Sequence, residues 1–189
     1  YNSHDIDDGP RAGLFRLEDV RAAVPLVDAL LGDIEARHPS LEPPRTTHEL
    51  VRRVISLFVE DVLAESTRRL DEATPQSASD VRIADQPLIG FSPAFATADA
   101  NIKAFLFPAM YRHPQVMRVR EKAAHVVARL FPHFLDQPES MPAEWATLAR
   151  SANDDASRAR AVCDYIAGMT DRYALGEYAR VFGETIDLK

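Results

Sequence analysis

The sequence predicts an all-α protein, a single domain of about six to eight helices. The long stretches between its 7 glycines and 13 prolines carry apolar residues at helical spacing. Few stretches show the alternation of apolar and polar residues that half-buried strands require. With 189 residues the chain can bury one hydrophobic core, so we expect residues 1–189 to form one helical domain.

The first helices are bounded by glycine and proline. We expect residues 1–8 to be the end of a helix that stops at Gly9-Pro10, since neither residue favours a helix interior. After a short turn at Leu17, a second helix is expected to begin near Pro25, because proline suits the first helical turn.

The clearest predicted helix begins near Thr46 or Thr47, either of which can cap its N-terminus. One apolar stripe runs along it over residues 50–62, and the polar loop 71–80 follows. A short extended segment is expected around residues 87–89, but one strand does not make a sheet.

The second half of the chain is predicted to be helical as well. Its expected helices are 100–113, 114–134, a short one around Trp145, and one from Asp154 or Asp155 to Gly183. Pro108 is expected to kink the first of them, and Gly183 to stop the last. Gly168 would lie inside the last helix, where glycine costs about 1 kcal/mol relative to alanine. Such a glycine indicates close approach by another helix or by a ligand.

The bulk composition restricts the function classes. A net charge of −7 argues against a protein that binds nucleic acid or an anionic membrane surface. No signal peptide and no apolar run of about 18 residues is recognisable, so no membrane partner is expected. The single cysteine, Cys163, cannot form an internal disulfide, which fits a cytoplasmic protein.

His4 and Asp5, near the start of the chain, look like half of a metal site. A hydrolytic metal centre needs several converging ligands, and no second His and carboxylate cluster at ligand spacing accompanies this pair. The P-loop, dinucleotide, zinc-protease and nucleophile-elbow motifs are also missing from the sequence. Spacing therefore disfavours His4 and Asp5 as a metal doublet, and the motifs point to no catalytic residue.

Tyr1, Asp5 and Asp8 are spaced by four and three residues, which places them on one face of a helix. An aromatic ring beside carboxylates can hold a sugar, because the ring stacks and a carboxylate accepts a hydroxyl hydrogen bond. The alternative is a helix C-terminus with ordinary surface acids, although acids there oppose the helix dipole.

Two longer stretches, YNSHDIDDGPRAGLF at the start and VCDYIAGMTDRYALGEYARVF near the end, carry a family resemblance. Together with LVRRVISLFVEDVLAES and IKAFLFPAMYRH between them, they resemble the bacterial deoxyguanosine triphosphate triphosphohydrolase-like proteins of the HD-domain superfamily. In that family the first stretch follows the last metal-ligating aspartate of an H…HD…D set. The resemblance therefore implies that this chain is the C-terminal portion of a larger enzyme.

The resemblance implies hydrolysis of a deoxynucleoside triphosphate to the deoxynucleoside and triphosphate by a metal-activated water. The larger parent would hold the divalent metal, magnesium, manganese or a similar ion, so the 189 residues alone are expected to be inactive. By position in the family's motif, Tyr1 would pack against the deoxyribose and Asp5 would accept the 3′-hydroxyl. We also expect a homo-oligomer.

Binding of a triphosphate requires arginine or lysine side chains. Arg45, Arg52 and Arg53 flank the start of the RRVISLF helix, and their proximity to that segment makes them candidates for this contact. A solvated helix face is the alternative interpretation of each.

Three further residues, Asp164, Tyr165 and Arg172, match the family's DYIAGMTDRYA motif. The resemblance implies that they shape the pocket wall or tie helices together. A second class of function stays open beside the enzyme: a non-catalytic helical module that assembles or regulates a partner, with the apolar stripe of residues 116–134 buried between subunits.

Overall fold

The computed structural model describes residues 1–188, and within that range every regular element is helical. The ten α-helices are α1 (Asn2–Arg11), α2 (Leu17–Ala23), α3 (Pro25–Arg37), α4 (Pro43–Ala73), α5 (Ala78–Arg82), α6 (Pro93–Leu106), α7 (Pro114–Asp136), α8 (Ala143–Arg150), α9 (Asp155–Ala167) and α10 (Asp171–Phe182). A π-helical turn, Phe107–Tyr111, follows α6, and a 3₁₀ turn, Pro138–Ser140, follows α7. The all-α prediction is confirmed, with more helices than expected.

Contacts divide the chain into two compact units, Tyr1–His113 and a second that starts at Pro114. In the N-terminal unit, α4 packs against α1 and α3, and α6 packs against α1 and α2. The apolar side chains buried there form one cluster: Ile6, Val20, Val24, Val27, Leu31, Ile34, Leu50, Val54, Ile102 and Leu106. The expectation of one domain over residues 1–189 stays a prediction, and its last residue, Lys189, lies outside the described residues.

In the C-terminal unit, α9 packs against α7 and α8, and α10 packs against α7. The buried cluster of this unit contains Val126, Leu130, Phe134, Met141, Ala149, Ala161, Val162, Tyr165 and Tyr178. The predicted apolar stripe of α7 therefore supplies much of this core, while Val119 and Val127 of the same stripe stay exposed. No helix within residues 1–188 is both long enough and apolar enough to cross a membrane.

The predicted stop at Gly9-Pro10 is wrong, because α1 continues through both residues to Arg11. A proline in a last turn disturbs little, since few intrahelical bonds remain to be lost after it. The end of the helix is instead closed by backbone bonds from Ala12 to Asp8, at 2.9 Å, and from Leu14 to Gly9, at 3.0 Å.

The predicted caps of α4 are also wrong, because the helix begins at Pro43, before either threonine. The hydroxyls of Thr46 and Thr47 donate to the carbonyls four residues earlier, each at 3.2 Å. Pro43 and Pro44 occupy the first two helical positions and lack the N–H groups that a cap would satisfy.

Side-chain caps mark two helix starts that the sequence analysis misplaced. The short helix α5 lies in the predicted polar loop, where Ser77 accepts from the Asp80 amide at 3.2 Å and donates its own amide to Asp80 at 2.9 Å. Ser92 caps α6 at Pro93, earlier than the predicted residue 100. Within residues 1–188 the segment around 87–89 forms no strand.

The predicted last helix is two helices, α9 and α10. Gly168 is the C-cap of α9, and Thr170 caps α10 by accepting from the Tyr173 amide at 3.3 Å. Gly168 therefore ends a helix and does not mark a close approach inside one. Gly183, with φ of 68°, stops α10 as predicted.

Pro108 interrupts the helix that α6 begins, and the predicted kink takes the form of the π turn. Proline has no amide hydrogen, and its ring collides with the carbonyl four residues earlier. The helix is wider at this point, because the Arg112 amide donates to the Phe107 carbonyl, five residues back, at 2.9 Å. Such single π turns recur at functional sites.

Gly9 of α1 lies against the ring of Phe15. A Cβ on Gly9 would come within 2.1 Å of Phe15 Cε1, and Phe15 packs edge-on to Phe105 with 5.1 Å between ring centroids. We expect Gly9→Ala to lower the free energy of unfolding by about 1–3 kcal/mol, because the Phe15 ring must move. Urea unfolding followed by circular dichroism measures this loss.

Gly32 provides the matched control for this prediction. It lies inside α3, and a Cβ there meets nothing within 4 Å. Gly32→Ala is expected to stabilise the protein by up to about 1 kcal/mol, the difference in helix propensity. Equal effects of the two substitutions would contradict the packing argument at Gly9.

Candidate functional site

A half-buried polar cluster lies at the start of α1. The Tyr111 hydroxyl, from the π turn, donates a hydrogen bond to Oδ2 of Asp5 and lies 3.3 Å from Oδ1 of Asn2. Asn2 Nδ2 in turn donates to Asp99 of α6 at 3.4 Å, and Asp99 accepts from Lys103 at 2.6 Å. This chain of contacts fixes the Asp5 carboxylate between α1 and the end of α6.

The tyrosine in this cluster is a neutral donor over the whole physiological range. Burial, with the Asp5 carboxylate beside it, raises the pKa of Tyr111 to about 12. The phenol therefore keeps its proton and directs it at Asp5. One carboxylate oxygen of Asp5 is oriented in this way, and the other, Oδ1, can accept from a further hydroxyl.

Tyr1, predicted to share the face of Asp5, occupies the N-cap position of α1 and is fully exposed. Its carbonyl accepts the amide hydrogens of His4, at 2.8 Å, and Asp5, at 3.1 Å. Asp8, the third member of the predicted face, is exposed as well. The structure thus places Tyr1 one turn before Asp5, as the spacing requires, with its ring in solvent.

Carboxylates hold two of the predicted phosphate-binding arginines. Glu49 accepts two hydrogen bonds from Arg52, at 2.8 and 2.7 Å, and one from Arg53, at 2.7 Å. Arg53 also bonds to Asp33. Arg45 is exposed, and it lines with Arg52 a shallow depression of about 370 Å³. The structure therefore brings Arg45 and Arg52 to one surface and turns Arg53 toward α3.

The two guanidinium groups, Arg52 first and then Arg53, lower the pKa of Glu49 to about 2. A carboxyl whose pKa is depressed in the folded state stabilises the protein above its ordinary value of 4.5, and this stabilisation is lost as the pH falls toward 2. We expect the free energy of unfolding of the wild type to exceed that of Glu49→Gln at pH 6, and the difference to shrink steadily below about pH 4.5.

Urea unfolding of both proteins at pH 6, 4 and 3 measures this difference. Glu60→Gln, an exposed acid on the same helix, is the matched control and is expected to stay within about 0.5 kcal/mol of the wild type at each pH. A gap between wild type and Glu49→Gln that does not change with pH would refute the role of the Glu49 charge.

The three residues predicted for the pocket wall lie in different surroundings. Asp164 is exposed on α9 and pairs with Arg160 at 2.8 Å. Tyr165 is buried in the core of the C-terminal unit, where its hydroxyl donates to Glu177 of α10 at 3.2 Å. Arg172 is exposed at the start of α10. Tyr165 therefore ties α9 to α10, and the role of the three as a pocket wall stays a prediction.

Comparisons with known proteins show what this chain is similar to. Residues 89–180 match the phosphohydrolase-associated domain. The whole chain is 48% identical over 189 residues to a deoxyguanosinetriphosphate triphosphohydrolase-like protein of Azorhizobium caulinodans, of which it covers 46%. The chain is a relative of the deoxyguanosinetriphosphate triphosphohydrolase-like proteins. The resemblance stated from the sequence is confirmed.

Other triphosphohydrolase-like proteins give the same result. The identity is 48% over 190 residues with the protein of Nitrobacter hamburgensis, and 43% over 189 residues with that of Rhizobium etli. Each alignment covers 100% of this chain but only 47% and 46% of the relative. The chain spans about half the length of the curated relatives it matches.

The metal implied by the triphosphohydrolase-like family finds no ligand set in the part of the chain that the structure describes. No group of three or more His, Cys, Asp or Glu side chains in residues 1–188 is arranged to hold a metal ion. His4 is exposed, and Asp5 is bonded to Tyr111. The side chains of residues 1–188 therefore supply no complete ligand set for a catalytic metal by themselves.

Tyr111 contacts Asp5 directly, and the sequence analysis did not name it as a site residue. It lies 106 positions from Asp5, so no local spacing connects the two. A signal was nevertheless present, because IKAFLFPAMYRH is one of the four segments that carry the resemblance to the triphosphohydrolase-like proteins. The only residue of that segment with an ionisable hydroxyl is Tyr111.

Proposed function

We propose that this chain is part of a metal-dependent deoxynucleoside triphosphate triphosphohydrolase and supplies the sugar side of its substrate pocket. The supporting observation is the similarity along the full chain to proteins named deoxyguanosinetriphosphate triphosphohydrolase-like. The reaction would release the intact triphosphate and the deoxynucleoside. Dependence on a divalent metal such as magnesium or manganese, a homo-oligomeric assembly and a cytoplasmic location belong to the same proposal.

The proposed sugar site is built around Asp5. Its carboxylate accepts the 3′-hydroxyl through Oδ1 while Tyr111 holds Oδ2. The ring of Tyr1 is exposed and free to pack against the deoxyribose. Because Asp5 is held by a neutral donor, its negative charge stays available to the ligand.

Arginines of α4 would bind the triphosphate. Arg45 and Arg52 share one surface depression, and both carry the fork geometry that suits phosphate oxygens. Arg53 takes part only if the substrate displaces Asp33 or Glu49 from it. Asp164, Tyr165 and Arg172 complete the proposal as residues that shape or brace the pocket wall.

The core packing of α7 favours the enzyme over the alternative of an assembly module. Val126, Leu130 and Phe134 are buried inside the unit to which they belong. These three residues of the apolar stripe are therefore already used within the chain, while Val119 and Val127 stay exposed.

The experiment is an assay of dGTP hydrolysis with Mg²⁺ or Mn²⁺, in which chromatography separates deoxyguanosine and triphosphate. A longer protein that contains this chain together with the family's H…HD…D residues is expected to form both products. The 189 residues alone are expected to form neither. Turnover by the isolated chain, or release of monophosphate by the longer protein, would contradict the proposal.

A further inference from the structure

One face of α7 carries a stripe of basic side chains. Arg118, Lys122, His125 and Arg129 follow each other at spacings of four, three and four residues, which places them on a single helical face. Glu121 is the only acid between Pro114 and Leu135. In a chain of net charge −7, this stripe is a local concentration of positive charge.

The segment after α10, Gly183–Leu188, lies along that stripe. The Glu184 carboxylate accepts hydrogen bonds from Arg129 and from the buried Tyr178 hydroxyl, both at 3.0 Å. The Asp187 carbonyl accepts from Lys122 at 2.6 Å. Between these two contacts, Ile186 packs on the apolar cluster of the C-terminal unit. The turn that directs the segment back onto α7 is made by Gly183, in the left-handed region.

This arrangement differs from the arginine pairs that lie within a single helix. Glu49 and Glu65 hold arginines of their own helix, three and four residues away, so those pairs persist as long as the helix does. The partner of Arg129 is on a separate segment, and the pair is exposed, with 37% of the Arg129 and 57% of the Glu184 side chain accessible. An exposed pair of this kind contributes little to stability, so this pair alone does not fix the segment to the stripe.

Arg129 keeps its position without the segment. Its guanidinium group stacks on the ring of Phe182 in α10, 4.0 Å from the ring centroid, and also bonds to the Tyr178 hydroxyl at 2.9 Å. Arg118 is exposed at the other end of the stripe. When the segment leaves, Arg118 and Lys122, one turn apart, and Arg129, about two turns further along the same face, are exposed to solvent. A multiply charged anion can bridge neighbouring cations of this kind.

We propose that Gly183–Leu188 is an acidic strap that masks an anion-binding stripe formed by Arg118, Lys122 and Arg129, and that this stripe binds an oligophosphate when the strap leaves. The strap is an internal competitor, because the Glu184 carboxylate engages Arg129 and the Asp187 carbonyl engages Lys122. It lowers the apparent affinity for the anion by the fraction of molecules in which it is bound. The proposal does not depend on the hydrolytic activity.

Calorimetric titration of the chain with inorganic tripolyphosphate tests the proposal. Glu184→Gln removes the acid that engages Arg129, and we expect it to bind tripolyphosphate about three- to tenfold more tightly than the wild type. Glu144→Gln, an exposed acid on α8, changes the net charge equally and is expected to bind as the wild type does.

A second variant identifies the stripe as the site. Adding Arg118→Gln to Glu184→Gln changes an exposed side chain that is remote from the core, and we expect it to abolish the gain in affinity. Equal affinity of Glu184→Gln and Glu144→Gln would overturn the proposal. So would a gain that survives Arg118→Gln, or one that sulfate at the same ionic strength reproduces, because both indicate general charge screening.

Discussion

Replacing Asp5 by alanine is expected to lower kcat/KM for dGTP about 10- to 100-fold in a longer, active protein that contains this chain. The loss corresponds to one hydrogen bond between a charged carboxylate and a hydroxyl, about 1.5–3 kcal/mol. Tyr111, on the π turn, orients that carboxylate, so the proposed sugar site is preorganised. Steady-state kinetics with dGTP measures the effect.

The proposed contact with the 3′-hydroxyl makes a sharper prediction. The wild type is expected to prefer dGTP over 2′,3′-dideoxy-GTP by about 10-fold or more, and Asp5→Ala is expected to lose this preference. Asp8→Ala, an exposed acid of the same helix, is the matched control and should retain it. If Asp5→Ala discriminates between the two nucleotides as the wild type does, Asp5 does not contact the 3′-hydroxyl.

Phe134→Ala is expected to cause the largest loss of stability, about 3–5 kcal/mol in the free energy of unfolding. Phe134 is fully buried at the centre of the C-terminal unit, and its ring lies 5.3 Å, centroid to centroid, from that of Tyr165. Removing the ring leaves a cavity between α7 and α9 that the neighbouring helices fill only in part. Loss of the ring also removes one packing partner of Tyr165, the residue whose hydroxyl joins α9 to α10.

The only tryptophan of the chain provides the measurement. Trp145 packs on Tyr165, with 5.6 Å between ring centroids, so its fluorescence reports the unfolding of this unit. Urea unfolding followed at Trp145 should show a markedly lower midpoint for Phe134→Ala. Leu148→Ala, with the side chain 53% exposed on α8, is the control and should change the stability by no more than about 0.5 kcal/mol. Similar losses for both substitutions would show that Phe134 is not central to the core.

Periodicity was sufficient to predict the helical class and the long helices, because burial of one face repeats every three or four residues. The boundaries depend on weaker and more local forces. Sequence analysis read residues 154–182 as one helix, since the apolar pattern continues through the break. Only the cap geometry at Gly168 and Thr170 separates α9 from α10. The sequence contains Ser77 and Asp80 at the spacing of an N-terminal cap, but a polar loop was predicted there and α5 was not.

Some contacts of the candidate site could be predicted from the sequence, and others could not. The pairing of Glu49 with Arg52 and Arg53 follows from spacings of three and four residues within one helix, so the sequence alone could have predicted it. The meeting of Asp5 with Tyr111 could not be predicted in this way, because it depends on how α6 packs against α1 and on the register of the π turn. Position in a family motif predicted a role for Asp5, and the fold supplied its hydrogen-bond partner, Tyr111.

The π turn at Phe107–Tyr111 also bears on how this chain tolerates insertion and deletion. A π turn holds one residue more than the α-helical turn it replaces. Deleting a single residue there, such as Ala109, would let the helix close in regular α geometry, because the residues that remain fill one ordinary turn. The helix would leave the turn in nearly the same register. The same deletion inside α4, which is α-helical throughout, would rotate everything after it by about 100°. We therefore expect the π turn to tolerate the loss of one residue better than α4 does.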